Sequence, residues 1–280
     1  MEKMKIGLTE GFYSYDYGSP EHIFYLIDEH KGKNLDMLVG PEWGLNAKPE
    51  GLYYRRKFKN LDDFIDNAFT AETKISDYAP KDAKSVLLKN RDRLRFSTLN
   101  NIPYSEAEAH RVIDALKEHS KNCDTLILPG TMVSYDNKGR LSNYMPVIQN
   151  GKHLKNIYKI SDGGTRFFSL FGVLEFAINE DECDIERFVP KNNVLYADNK
   201  KIGVEICADS GRLREVGVKD LDLQVLSSCG NYTIEPAVEE GKYVVCADGA
   251  SGNYFVKKLY GKEIKKKSDG LLSVFTAKLF

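Results

Sequence analysis

Six short runs of apolar residues constrain this chain most: Met4 to Leu8, Asp36 to Val39, Asp124 to Leu128, Lys201 to Ile206, Asp222 to Leu226 and Lys242 to Val245. Each is rich in Val, Ile or Leu, and turn or charged residues bound most of them, which predicts strands. Most are apolar throughout rather than alternating, which predicts sheets covered on both faces. Helical patterns lie between some of them. Ser19 to Glu29 carries Ile23, Phe24, Leu26 and Ile27 on one stripe, with Ser19 placed to cap and Pro20 suited to the first position. Ser105 to Ser120 is a second helix, capped by Ser105, with Glu106 and Glu108 in its first turn and Val112, Ile113 and Leu116 on its apolar side. Between Met132 and Lys159 the pattern changes. Asp136 to Gly139 and Gln149 to Lys152 are hairpin turns, and the strands Leu141 to Ile148 and Leu154 to Ile160 form a meander. This order implies a mixed sheet in the α/β class.

The 280 residues suffice for one large core, and no internal repeat or domain boundary divides them. The formal net charge is -1, from 40 Lys plus Arg against 41 Asp plus Glu. That balance argues against a nucleic-acid or anionic-membrane partner. No apolar run is long enough to span a bilayer, and the first residues show no secretory signal. Five cysteines, Cys123, Cys183, Cys207, Cys229 and Cys246, are odd in number and lack C-x-x-C spacing. A disulfide framework or zinc site is therefore not expected, and a reducing cytosol is. No metal or organic cofactor is implied.

Three polar residues follow strand signals at their carboxyl ends, where ligand sites of α/β sheets collect. Glu42 follows Asp36 to Pro41, Lys159 ends Asn156-Ile-Tyr-Lys159, and Cys207 ends Lys201-Ile-Gly-Val-Glu-Ile206. A free cysteine ionises near pH 8.5, so a nucleophilic one needs help. A neighbouring ammonium favours the thiolate, and a carboxylate can take its proton. The ammonium can then hold an oxyanion, and the carboxylate can activate water against an acyl-enzyme. The paired charges of Glu42 and Lys159 lessen the cost of burying either.

These segments resemble the nitrilase, or carbon–nitrogen hydrolase, superfamily. Asp36-Met-Leu-Val-Gly-Pro-Glu42-Trp43 is similar to the family strand that ends in the general-base glutamate. Asn143 to Lys159 is similar to its Asn-to-Gly hairpin that ends in the catalytic lysine. Lys201-Ile-Gly-Val-Glu-Ile-Cys207-Ala-Asp209 is similar to its nucleophile strand, and Tyr243 to Gly249 to its late strand and glycine turn. The resemblance spans nearly the whole chain and keeps the order Glu, Lys, Cys. It implies one domain over residues 1–280, a four-layer α-β-β-α sandwich of two mixed β-sheets flanked by helices. It implies hydrolysis of a non-peptide amide, carbamoyl or nitrile bond in a small molecule through a cysteine acyl-enzyme. It also implies a homodimer or larger homo-oligomer. Trp43, Ala208, Asp209, Ser228, Cys229 and Asn231 are the expected pocket residues, with the Ala208 N–H beside Lys159 at the oxyanion.

Some segments depart from the family pattern. Ala47 to Asn101 has many charges and tyrosines and few periodic signals, and is expected to be an insertion or lid at about residues 47–101. Glu175 is the first glutamate after Lys159 that could serve as a second active-site glutamate. The Arg212 region matches the family only loosely. Two alternatives therefore stand beside hydrolysis: a nitrilase-fold binding module without catalysis, and an acyltransferase that passes its acyl group to an amine. Cys123 and Cys246 are expected in the core and all five histidines at the surface. The lysine-rich run Lys257 to Lys267 is expected to be a solvated strand pair or tail. Alternation puts Glu205 on the same face as Cys207, where a buried carboxylate calls for an arginine or lysine partner.

Overall fold

The computed structural model describes residues 2–9, 20–42, 44–45, 61–67, 88, 104–135, 141–159, 193–197, 199–228, 230, 235–249, 253–269 and 272–279. The apolar runs form the parallel centres of two sheets. In the larger sheet β1 (Glu2–Thr9), β2 (Met37–Val39) and β4 (Leu126–Leu128) lie parallel in that order. The long strand β6 (Leu141–Gln149) runs antiparallel to β4. β5 (Met132–Tyr135) and β7 (Lys152–Tyr158) take opposite edges of β6, since Tyr144 pairs with Met132 and with Tyr158. The short β3 (Tyr104–Ser105) ends that side. Beyond β1 lie β14 (Leu272–Leu279) and β13 (Lys267–Asp269), both antiparallel to their neighbours. The smaller sheet has β9 (Lys200–Ile206), β10 (Leu221–Ser228) and β11 (Val238–Asp248) in parallel. Antiparallel β8 (Val194–Ala197) and β12 (Tyr254–Lys258) edge it.

Alternate residues of each central strand face opposite layers, which is why these strands are apolar throughout. Ile6, Leu8, Met37, Val39 and Leu128 of the larger sheet pack on Ile202, Val204, Ile206, Val225 and Val245 of the smaller. The intervening Leu38 and Ile127 turn outward beneath Ile23 and Ile27 of α1 (Pro20–His30). Ile113 and Leu116 of a second long helix, Glu106–His119, complete that layer. On the outer face of the smaller sheet, Val194, Leu221 and Val244 meet Leu213 of a short helix, Arg212–Glu215. The result is the expected α-β-β-α sandwich. Among the described residues the helices are, in chain order, α1, α2 (Leu61–Asn67), α3 (Glu106–His119) and α4 (Arg212–Glu215). Apart from α2 and Leu88, the segment expected as an insertion or lid lies outside the described residues.

The hairpin at Gln149 to Lys152 has Asn150 at φ 47° and Gly151 at φ 72°, as a two-residue primed turn requires. The turn expected at Asp136 to Gly139 lies outside the described residues. Cys123 and Cys246 are buried. Lys257 bridges to Glu263, so the lysine-rich run doubles back on β12 with its tip exposed. His30 departs from the expectation of surface histidines: it is buried at the end of α1, because that helix face closes on the sheet. His119 is partly covered, stacking on Phe24 at 4.7 Å and meeting Asp28 at 2.6 Å. Among the described residues no helix is long and apolar enough to cross a membrane.

Candidate active site

The carboxyl ends of β2, β4, β9 and β10 meet at one rim of the sandwich, and backbone contacts fix that meeting. After β2 the chain passes through Gly40 and Pro41 against Pro129 and Gly130, which follow β4. A Cβ on Gly40 would collide with the Pro129 carbonyl, and one on Gly130 (φ 97°) with the Pro41 carbonyl. Glycine at both places therefore lets the two loops touch. Across the sandwich, the Ser227 hydroxyl donates to the Gly40 carbonyl at 2.9 Å. The Ser228 carbonyl accepts the N–H of Glu42 at 3.2 Å and of Gly249 at 3.0 Å. The loop that carries Glu42 is thus tied to the end of β10 in the opposite sheet.

Lys159 reaches the same rim from β7. Its N–H donates to the Asn143 carbonyl at 2.9 Å, which extends the β6–β7 pairing by one residue. Its ammonium then lies 2.6 Å from Oε1 of Glu42, with both side chains nearly sealed from solvent at 7% and 1% exposure. The Asn143 amide donates to the same oxygen at 3.1 Å. Lys159 and Asn143 thus both anchor the carboxylate through Oε1. Pairing a buried carboxylate with a cation and an amide donor offsets much of its desolvation cost.

Cys207 stands at the end of β9, at the start of a 3-10 helical turn, Cys207–Asp209. Its φ is 46°, a left-handed conformation that strands do not use and that non-glycine residues adopt rarely. The Ser210 N–H closes the turn on the Cys207 carbonyl at 3.1 Å. Ser227 is paired with Ile206, so Ser228 and Cys207 are the next residues on adjacent parallel strands. Adjacent strands lie about 4.8 Å apart. The carbonyl that holds the Glu42 backbone therefore belongs to the strand beside Cys207. Cys207 itself is partly exposed and packs against the inter-sheet core.

Glu205 behaves differently from the expectation. The positive φ at Cys207 breaks the alternation, so the two residues face opposite sides of the smaller sheet. Cys207 meets the inner core, whereas Glu205 lies fully buried on the outer side. Its partners are neutral rather than cationic: the Leu213 N–H at 2.8 Å and the Gln224 amide at 2.6 Å. Burial outweighs these donors and pushes the carboxyl up to about 7, with nearby Asp209 adding to the rise.

Of the other expected pocket residues, Ala208 lies within the turn, and Asp209 and Ser228 are fully buried. Trp43, Glu175, Cys229 and Asn231 lie outside the described residues. Arg212 is exposed and pairs with Glu215 at 2.6 Å. Asn143 and Asp248 were not anticipated as site residues. A polar residue within the largely apolar run of β6 was the available signal for Asn143. Asp248 ends β11, buried, and accepts the Gly230 N–H at 2.6 Å, which pins the chain leaving β10. Among the described residues no group of three or more His, Cys, Asp or Glu could hold a metal ion.

No protein-family model and no curated protein matches this sequence. Solved structures do match the fold. Nit3 of Saccharomyces cerevisiae, a member of branch 10 of the nitrilase superfamily, superposes with a TM-score of 0.52 at 14% identity, over 99% of this chain and 90% of Nit3. A variant of the amidase from Nesterenkonia sp. AN1, in complex with acrylamide, gives 0.52 at 14% identity over 98% of this chain and 90% of the amidase. The glutamine-dependent NAD+ synthetase from Acinetobacter baumannii gives 0.54 at 14% identity, over 99% of this chain but only 46% of the synthetase.

Proposed function

We propose, from the premise that this chain has the fold of the nitrilase superfamily, that it is a thiol hydrolase of small-molecule carbon–nitrogen bonds with Cys207 as nucleophile. The observation that carries this reading is the buried contact of Lys159 with Glu42 at 2.6 Å, at the rim where Ser228, beside Cys207, holds the Glu42 backbone. This contact supports the reading, since an acid and an amine from distant stretches of chain meet at that rim.

In the proposed reaction the Glu42 carboxylate takes the Cys207 proton as the sulfur attacks the carbonyl or nitrile carbon. For an amide, the carbon becomes tetrahedral and its oxygen anionic. Lys159 and the Ala208 N–H donate to that oxyanion. The proton held by Glu42 passes to the leaving nitrogen, and ammonia or an amine departs. Glu42 then takes a proton from water, hydroxide adds to the thioester, and the acid leaves with the thiol restored. The Nesterenkonia amidase, in another structure of the same fold, carries the acetamide moiety of fluoroacetamide on its active-site cysteine. Short amides are accordingly the substrate class proposed here.

The test compares Cys207→Ala with Cys229→Ala for turnover of short aliphatic amides and for thiol alkylation. Loss of both only in Cys207→Ala is expected. Loss only in Cys229→Ala would overturn the assignment. Sluggish iodoacetamide labelling of Cys207 below neutral pH would fit a binding module instead.

A further inference from the structure

A buried carboxyl behind the nucleophile strand has no part in the reaction above. Glu205 lies two residues before Cys207 on the opposite face of β9, fully buried. Its two oxygens collect donors from two different elements. Oε1 accepts the Leu213 N–H at 2.8 Å, and the Gly211 N–H also donates to the carboxylate. Oε2 accepts the Gln224 amide of β10 at 2.6 Å. Gln224 is itself committed on its remaining sides: its Nε2 donates to the Glu235 carbonyl at 3.0 Å, and its Oε1 accepts the Ala237 N–H at 2.8 Å. The Glu235 N–H returns to the Ser210 hydroxyl at 3.1 Å. Ser210 is the residue whose N–H closes the turn on the Cys207 carbonyl. Gly211, at φ 97°, completes the fit, since a Cβ there would lie 2.8 Å from Oε2 of Glu235.

We propose that Glu205 is a positioning residue: its carboxylate latches the exit of the nucleophile turn, Gly211 to Leu213, to Gln224 of β10 and so holds Cys207 in its left-handed conformation. This inference rests on Cys207 being the nucleophile. Three donors converge on Glu205, so the anion satisfies all of them. The protonated acid presents an O–H to groups that are themselves donors and gives up one of these bonds. Gln224 cannot invert its amide to accept that proton without losing both Glu235 and Ala237. Asp209 of the turn acts on Glu205 as a like charge, and Glu235 lies over Gly211. From α4, Arg212 and Glu215 are exposed and paired with each other. Burial outweighs that lost bond and raises the carboxyl to about 7, so ionisation favours opening the site to water and the latch loosens as pH rises above about 7.

The experiment uses the full chain. Hydrogen exchange of the peptide covering Cys207 to Val218 is measured as protection factors at about pH 8 and about pH 6, beside the iodoacetamide labelling rate of Cys207. In the wild type, protection of Gly211 and Leu213 is expected to fall at the higher pH. In Glu205→Gln, whose amide sets a donor against the Gln224 donor, protection is expected to be low at both. Cys207 labelling is then expected to slow by about tenfold or more, because a small misplacement of a reacting atom has that effect. Protection in Glu205→Gln equal to the wild type overturns the latch, whatever Cys207 does. Loosened protection with wild-type labelling overturns the positioning role. Should Glu205→Gln not fold, the wild-type pH comparison decides alone: pH-independent protection overturns the latch. Wild-type Cys207 that labels no faster than a free peptide thiol overturns the nucleophile reading, while the exchange data still report on the latch.

Discussion

Lys159 and Glu42 stand 117 positions apart in sequence, yet the lysine ammonium lies 2.6 Å from the glutamate carboxylate with both side chains buried. Two separate strand ends must be held in register for that contact to exist. β7 delivers Lys159 through its pairing with β6, and the glycine-lined loop after β2 delivers Glu42. The charge pair is therefore a consequence of the larger sheet being assembled.

Removing one member leaves the other charged and buried. Lys159→Met is expected to lower stability by about 3–5 kcal/mol at neutral pH, the usual penalty for breaking a buried pair. Urea unfolding measures this. An unchanged midpoint would mean that the pair is open to water in solution.

Asn143 shares Oε1 of Glu42 with Lys159. Asn143→Ala removes one donor and is expected to lower kcat/KM for a short amide by about tenfold. Asn143→Asp sets a second carboxylate against the first, and like charges at such range oppose ionisation of both. That variant is expected to lose about a hundredfold. Equal losses in the two variants would show that charge at this position is immaterial.

Glu205 links stability to pH in a stated direction. Its folded value of about 7 is raised above the unfolded 4.5. Between those values the folded state holds a proton that the unfolded state has released. The stabilising contribution is thus fully present below about pH 4.5 and is lost as pH rises through about 7. Measured against Glu205→Gln at each pH, the wild type is expected to lose roughly 3 kcal/mol across that window. A difference that stays flat would place the carboxyl in water rather than under α4.

Cys246 provides an internal control for labelling. Burial pushes its thiol up to about 12, and Asp248 adds to the rise. In the native protein at about pH 8, mass spectrometry is expected to find alkylation at Cys207 and none at Cys246 until the chain is unfolded. Native labelling of Cys246 would contradict the packing of β11.

The sequence by itself determined the elements whose signal is local. The apolar runs at Met4, Asp124 and Lys201, the helix from Glu106 and the Asn150-Gly151 turn are all where residue pattern puts them, because period and turn chemistry act over a few neighbours. The order of Glu42, Lys159 and Cys207 at strand ends was also legible. Other features were decided only by tertiary structure. β14 has polar Ser273, Thr276 and Lys278 among its apolar residues, and its place between β13 and β1 comes from pairing with a strand at the other end of the chain. Asn143 gained its place at Glu42 only once β6 and β7 were set beside the β2 loop. Glu205 and Cys207 were expected on one face because strict alternation assumes an extended backbone, and the left-handed turn at Cys207, two residues on, ends that assumption. Local patterns fix which way a strand's residues point within the strand. Which strands touch, and where the chain leaves its regular geometry, depends on close packing between segments far apart in sequence.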